Sequence, residues 1–591
     1  MRYIYLTVFM LFASLGFAQG PVVPDDDFNG TGQNVFMINA SQSSYGFDIK
    51  VLTDGKILVS GVYKVGSYFQ IGLAKFLSNG TTLDNTFGTN GIASAPLGNQ
   101  TTIGGIVNRI KLDASGRIYV SGYGRPPTNG TKSFICRFLP DGTLDNTFDG
   151  DGIVFIDISG STAIPEQMAD FTFDASGNIY MTGYLRTGLP APTSIDLILA
   201  KLTPDGALDP SFSGDGKQTN NLFPGAWEFG FGIYVQSDGK IVVGGYGGLP
   251  ANFFAARFNA DGSLDNTYGV NGISTVDIFG DNVADEVFAM AVQPDGKILL
   301  VGDGVNVNAN AYGDAAIVRL NTDGSVDNTF GVNGIFTYDM SGTGISDILK
   351  AVTVLPNGKI IAGGTANMGA SYDYGVIRVN ADGSLDNTFN NTGVYTHELS
   401  GLDVEDQIYG MDVQSDGKIL VSGQTVLSSG VTTRYSMMRL IPDAAVASFT
   451  ANVTQVCEGN QVNFTSTSLG ANLVYNWTFE GGTPATSTLQ NPTVTYNTAG
   501  VYDVTLEITN GLSSDSLTIQ NMITVNAVPA APAIPAGPSQ LCQLASGTYS
   551  IAAVTGATGY AWTLDPPQAG LLTANGLTAT FTSSGSYLGN C

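Results

Sequence analysis

The sequence predicts an all-β protein: a seven-bladed β-propeller of four-stranded blades, closed by an N-terminal strand and followed by immunoglobulin-like β-sandwich domains. Three observations carry this expectation. About sixty residues recur seven times, each period reads as four short strands, and the piece missing from the last period stands ahead of the first. Composition agrees. With 76 Gly, 43% hydrophobic and only 13% charged residues, the chain suits short apolar strands and tight turns rather than an acidic disordered tail.

The N-terminus reads MRYIYLTVFMLFASLGFAQG. Arg2, an apolar run and the small residues before Gln19 have the layout of a secretory signal peptide over 1–18, and the run is too short to span a bilayer. No later stretch is long and apolar enough to span, so the mature chain is expected to be secreted or displayed on the cell surface. Its formal charge of −26 argues against nucleic acid and anionic membranes as partners.

Residues 19–443 hold the repeats, built on two alternating anchors. The first is a turn followed by an apolar run, DGKILVSG at 54–61 and its relatives, with turn glycines Gly55, Gly116, Gly177, Gly239, Gly296, Gly358 and Gly417 spaced 57 to 62 residues apart. The second is LDNTFGTNGI from Leu83, returning at Leu144, Leu208, Leu264, Val326 and Leu385. Asp-Gly and Asn-Gly after apolar runs are hairpin signals, because both tolerate positive φ. In the fifth unit VFAMAVQP, KILLVG, DAAIVRLN and IFTYDM are the four strands, which makes each period a propeller blade.

The seventh unit has three strands and no second anchor. PDDDFNGTGQNVFMI at 24–38 supplies it: aligning Phe28 with Phe87 puts Asp25 where Asp84 stands. A strand from the N-terminus completing the last blade closes the ring and removes both sheet edges.

The L-D-N-T-F-G-x-N-G and D-G-K-I-L-V-S-G modules resemble the delta-60 repeat of large secreted bacterial proteins, over roughly 24–443. The resemblance implies a propeller-like repeat domain and no particular reaction.

From 446 the period stops. Residues 446–526, with Trp477, Tyr496 and the run Tyr502-Asp503-Val504-Thr505-Leu506, read as a small β-sandwich and resemble the polycystic-kidney-disease (PKD) domain. The family's Asp-Phe-Gly-Asp-Gly run is replaced by Thr478-Phe479-Glu480-Gly481-Gly482. A Pro/Ala linker at 527–538 is expected to be extended. Residues 539–591 resemble the start of a second such module, with Tyr560 and Trp562 as core aromatics, and the chain reads as part of something longer. Cys136, Cys457, Cys542 and Cys591 fit neither a metal pattern nor a disulfide framework. Unpaired thiols are expected, Cys457 and Cys542 being the pair a bridge would join.

The third strand of every blade ends in a basic residue, Lys75, Arg137, Lys201, Arg257, Arg319, Arg378 or Arg439. Eight or nine residues later comes Asp84, Asp145, Asp209, Asp265, Asp327 or Asp386, and Asp25 serves the seventh blade. One ion pair or clamp per blade is expected, holding the loop before the last strand. A ring of ligands is the competing reading, but repetition in every blade favours scaffold, since ligand sites break symmetry. Asp149 and Asp151, and Asp215, sit in short calcium-like loops that lack the twelve-residue pattern, so ordinary turn chemistry is favoured and no cofactor beyond calcium comes into question.

His397, the only histidine, lies in an outer-strand context and reads as a surface residue, so a histidine triad or metal site has nothing else to rest on. No catalytic motif is present. The function expected is non-catalytic binding or adhesion toward an extracellular protein or polysaccharide, with specificity in unequal loops such as 186–194 and 304–313. The alternative is a secreted carbohydrate-active enzyme, a glycan hydrolase or lyase with acidic residues at the propeller mouth.

Overall fold

The computed structural model describes residues 21–38, 43–98, 107–126, 130–187, 194–280, 283–306, 312–369, 371–399, 405–427, 432–470 and 472–585. The expected signal peptide and Cys591 lie outside the described residues, as do 188–193 and 307–311 of the unequal loops. The chain divides into two compact units, Met1–Ala444 and Ala445–Cys591.

The first unit is a seven-bladed propeller. Its blades begin with the strands Ser44–Val51, Val107–Leu112, Glu166–Phe173, Trp227–Val235, Glu286–Val292, Ile348–Val354 and Asp406–Val413. These seven first strands touch one another in an unbroken cycle, which places them around the axis. Each then continues outward as an antiparallel meander. Blades 3 and 4 are also joined by one parallel pair, Ile195 with Trp227.

Local chemistry sets the hairpins. In the first turn Gly55 adopts φ +79° and the Lys56 amide donates to the Asp54 carboxylate at 3.1 Å. The apolar residues of the strands then fill separate cores between neighbouring blades, one for each of the seven junctions. The junction of blades 7 and 1 has a core of its own: Phe28, Ile49, Val59, Leu420, Tyr435 and Met437 are all buried there.

The N-terminal strand closes the ring. Gln33–Phe36 pairs antiparallel with Thr432–Ile441, Gln33 opposite Met438 and Phe36 opposite Tyr435, and Val23–Pro24 adds a second short pairing at Ile441 and Leu440. The outer edge of blade 7 is therefore covered by the far end of the chain, so no three-stranded blade remains to template aggregation.

The second unit begins with a two-sheet sandwich around buried Trp477, whose indole N–H donates to the Leu489 carbonyl at 2.8 Å. Beyond it, Ser546–Ser550, Gly570–Asn575 and Thr578–Ser583 form a three-stranded sheet. Here the expectation for Tyr560 and Trp562 is corrected. Both are half-buried and lie outside any strand, tied to the backbone through the Tyr560 hydroxyl at Val554 and the Trp562 indole at Gly576. Cys457 and Cys542 are exposed and unbridged, and Cys136 is a buried thiol.

Candidate functional site

An antiparallel meander puts its first and third turns at one end of the sheet and its second turn and the crossover to the next blade at the other. The propeller therefore has a turn face, built from the repeated anchors, and a loop face, where the blades differ.

The turn face holds the basic and acidic residues singled out from the sequence. Arg137 Nε lies 2.7 Å from Asp145, Arg257 2.7 Å from Asp265, Arg319 2.7 Å from Asp327 and Arg378 2.6 Å from Asp386. Arg439 Nε lies 2.6 Å from Asp25 although 414 residues separate them. With lysine the geometry is looser in blade 1, where Lys75 is 3.8 Å from Asp84, and close in blade 3, where Lys201 is 2.7 Å from Asp209.

Three features of these clusters go beyond what the sequence leads one to expect. The lysine of D-G-K is a second cation on the same carboxylate: Lys56 on Asp84, Lys240 on Asp265, Lys297 on Asp327, Lys359 on Asp386 and Lys418 on Asp25. Its repetition was the available signal. Blades 2 and 3 have Arg117 and Asn178 at that position, and each turns instead to its own hairpin aspartate, Asp113 or Asp174. The arginines also reach the next blade, Arg137 to the Pro204 carbonyl at 2.6 Å, Arg257 to Thr322 at 3.0 Å and Arg439 to Ser78 at 2.7 Å. Each guanidinium also lies over the aromatic ring of the second anchor, 4.6 Å from Phe148 and 4.9 Å from Phe28. Hydrogen bonds from Thr86 to Asp84, and from Lys201 to Asp209, bring both carboxyls down to about 2.

Two of the three calcium candidates accept turn amides. Asp151 accepts from the Ile153 amide at 2.9 Å and Asp215 from the Lys217 amide at 3.2 Å, while burial and the nearby Asp151 and Asp205 raise Asp149. Among the described residues no group of three or more His, Cys, Asp or Glu is placed to hold a metal ion. His397 is half-buried rather than on the surface: its Nδ1 meets the Tyr395 hydroxyl and its Nε2 meets Gln33 Oε1 of the closing strand, both at 3.2 Å, and desolvation lowers its pKa.

Toward the loop face every first strand carries a β-bulge eight residues before its turn glycine. The seven bulged residues are Phe47, Asn108, Ala169, Phe231, Phe288, Lys350 and Tyr409. Bulges bend a strand and re-aim a side chain, and they concentrate beside functional sites. Neighbouring bulge residues meet around the axis: Phe47 and Tyr409 at 5.6 Å, Lys350 Nζ and the Tyr409 ring at 4.5 Å, Phe231 and Phe288 at 5.7 Å. The bulge is common to all blades while its residue type changes, so no motif marks it in the sequence.

The first strands also line a cavity of about 370 Å³, charged on the side of blades 1 to 3. Asp48, Lys50, Arg109, Lys111 and Asp170 come from blades 1 to 3, and Ala289 and Ala351 from blades 5 and 6. Arg109 Nη2 crosses the axis to the Phe288 carbonyl at 3.3 Å. Asp48 accepts from Ile110 of the next blade at 2.9 Å, and Lys111 pairs with Asp170 at 2.8 Å. Desolvation raises the Asp48 carboxyl, with Arg109 opposing it, and burial lowers Lys350 to about 8 against the pull of Asp303 and Glu405.

A second repeated carboxylate stands eleven residues before the turn glycine in blades 3 to 7, as Glu166, Glu228, Asp285, Asp347 and Asp406. All five are buried and accept backbone amides of the crossover loops, Phe223 to Glu228 at 2.6 Å and Leu399 to Asp406 at 2.7 Å among them. Desolvation raises Glu228 to about 7 and Asp347 and Asp406 to about 6. Alternation of Glu with Asp, and Ser44 and Gly105 at the same place in blades 1 and 2, hides this register in the sequence.

A family model described as a "Domain of unknown function (DUF5122) beta-propeller" matches seven segments, 52–87, 114–148, 193–212, 236–268, 293–330, 355–389 and 414–443. Models described as a PKD domain and a PKD-like domain match 447–523 and 528–584. The chain carries a DUF5122 β-propeller followed by two PKD-type modules. The PKD-like match takes in most of the Pro/Ala stretch. No curated protein matches the chain.

Solved structures match the chain only at low similarity. A protein of unknown function from Dyadobacter fermentans DSM 18053 is 11% identical, with 69% of this chain and 97% of that chain covered at a TM-score of 0.35. The polysaccharide lyase Uly1 is 12% identical, covering 67% and 90% at 0.39, and a fungal alcohol oxidase in complex with copper is 12% identical, covering 82% and 98% at 0.35. Overlaps this shallow identify neither a shared active site nor a shared ligand. The PKD-type modules are compatible with an extracellular protein, and among the described residues no helix is long and apolar enough to cross a membrane.

Proposed function

We propose that the protein is a secreted or surface-displayed, non-catalytic binding or adhesion protein in which the DUF5122 propeller presents a rigid face and the PKD-type modules act as spacers. One observation carries this reading: the two faces differ. The turn face repeats one cation–aspartate cluster around the ring, whereas toward the loop face the bulges of blades 1 and 3 to 7 hold four aromatics, a lysine and an alanine at equivalent positions. A rigid scaffold with varied residues at one end is how many repeat folds build a recognition surface. The regular clusters are proposed as blade-to-blade clamps.

The enzyme reading has its own observation, Lys350 at about 8 beside Tyr409 and near Asp303, a carboxyl raised well above its ordinary value by burial and by Glu286 and Asp285. Groups brought toward neutrality in this way suit general acid–base chemistry. A glycan array and a polysaccharide-depolymerisation assay on the full chain separate the two. Retention of a ligand without turnover is expected, and release of shortened chains would favour the enzyme.

A further inference from the structure

The first strand of blade 4 reads Trp-Glu-Phe-Gly-Phe from Trp227 to Phe231, and its aromatics mark the richest side of the bulge ring. Phe229, Tyr246 and Phe231 form a near-parallel stack, Phe229 to Tyr246 at 4.7 Å and 25° and Phe231 to Tyr246 at 5.8 Å and 8°. Tyr184 of blade 3 meets Phe229 edge-on at 4.7 Å, and Phe288 of blade 5 meets Phe231 at 5.7 Å. Phe229, Phe231, Tyr184 and Phe288 stand outside the apolar cores that weld the blades. All but Phe229 are only half-buried. At the rim, two residues before Phe229, Trp227 is 51% exposed, a large apolar side chain left in water on a half-apolar strand.

Polar groups with unused bonding capacity surround this shelf. Asp303, only 8% exposed, has an Oδ1 without a hydrogen-bond partner, and it stands with Glu286 beside the Tyr246 ring. The Asp196 Oδ1 and Arg186 Nε are buried and unpartnered on the blade 3 side, where Arg186 lies over the Tyr184 ring. A buried polar atom left unpaired is destabilising, and here a ligand's hydroxyls could complete the bonding. Aromatic faces flanked by free acceptors and one donor match a pyranose, whose C–H face is apolar and whose edge is a row of hydroxyls. The chain carries −26 overall, so an anionic polymer is repelled.

Resting on the binding reading above, we infer that the shelf formed by Trp227, Phe229, Phe231, Tyr246, Tyr184 and Phe288 is a subsite for a neutral polysaccharide.

The test is calorimetric titration of the full chain with laminarin, galactomannan and alginate, beside the variants Trp227→Ala, Phe231→Ala and, on the turn face, Val332→Ser. Binding of at least one neutral polymer is expected, weakened about tenfold by each aromatic variant, the loss of one stacking contact, and unchanged by Val332→Ser. Trp227 is exposed enough that its variant keeps the test valid if Phe231→Ala fails to fold. Neutral-polymer binding that both variants leave intact places the site elsewhere and overturns the inference, as does binding of alginate alone. Retention of no carbohydrate also overturns it, while leaving the broader reading to binding assays with proteins. Depolymerisation of a bound neutral polymer with the aromatic dependence intact would overturn the non-catalytic reading and keep the subsite.

Discussion

Asp25→Ala tests the ring closure where it is most exposed. Asp25 is 2% exposed and receives Arg439 at 2.6 Å and Lys418 at 2.7 Å, and its amide donates to the Arg439 carbonyl at 2.9 Å. Removing the carboxylate leaves two cations facing each other in a dry site, a change that costs about 3–5 kcal/mol. In blade 5 the same substitution at Asp327 disturbs a strand held by chain on both sides. At Asp25 it disturbs a terminal strand held by its four-residue ladder, the short Val23–Pro24 pairing, the burial of Phe28, worth about 2–3 kcal/mol, and the clamp itself. The clamp is therefore a large share of what keeps the strand docked. Hydrogen–deuterium exchange read on peptides covering 21–38 and 432–441 should show protection falling about 10²–10³-fold in Asp25→Ala, before the propeller melts. Asp327→Ala should lower the melting temperature without loosening 21–38. Unchanged exchange in Asp25→Ala, or equal loosening by Asp327→Ala, would refute a clamp that seals the ring.

Other outcomes follow from the same geometry. Gly324 has φ +87° and a Cβ there would sit 2.7 Å from the Tyr268 ring of the preceding blade, so Gly324→Ala should cost about 2–4 kcal/mol, read as a lower melting temperature with the PKD-type unit unaffected. Desolvation lifts Glu228 from 4.5 to about 7 and Asp347 and Asp406 from 3.8 to about 6, so the folded state holds protons that the unfolded state has released, and stability from these groups falls as pH rises through about 6–7. Asp84 and Asp209, lowered to about 2, give stability that is present above about 4 and lost as pH falls through about 2. A melting temperature that peaks between these limits is expected, with Glu228→Gln flattening the fall on the alkaline side; a slope identical to wild type would count against it. Because Asp151 and Asp215 each already serve a turn amide, melting curves with calcium and with a chelator should superimpose, and a calcium-dependent rise would reassign those loops as metal sites.

Blade count, strand order and the closing strand are legible in the sequence because each rests on local chemistry repeated around the ring. Asp-Gly and Asn-Gly fix the hairpins, alternation fixes which residues face a neighbouring blade, and the missing anchor of blade 7 has one match, at 24–38. The residues of the turn-face clusters carried the same repeat signal. The Tyr560 and Trp562 expectation failed because one aromatic pair in 539–591 carries no period to show which strands enclose it.

The sequence by itself determined a ring of seven similar blades, since periodic turns and apolar runs admit few other foldings. Only the tertiary structure decided what stands at the centre of that ring. A bulge changes which way a residue faces without changing the pattern around it, so Phe47, Phe231, Phe288, Lys350 and Tyr409 look like ordinary strand residues until seven strands are brought around one axis. The second carboxylate and the inter-blade reach of the arginines are hidden for the same reason: their partners belong to other loops and other blades, at distances along the chain that no local pattern encodes.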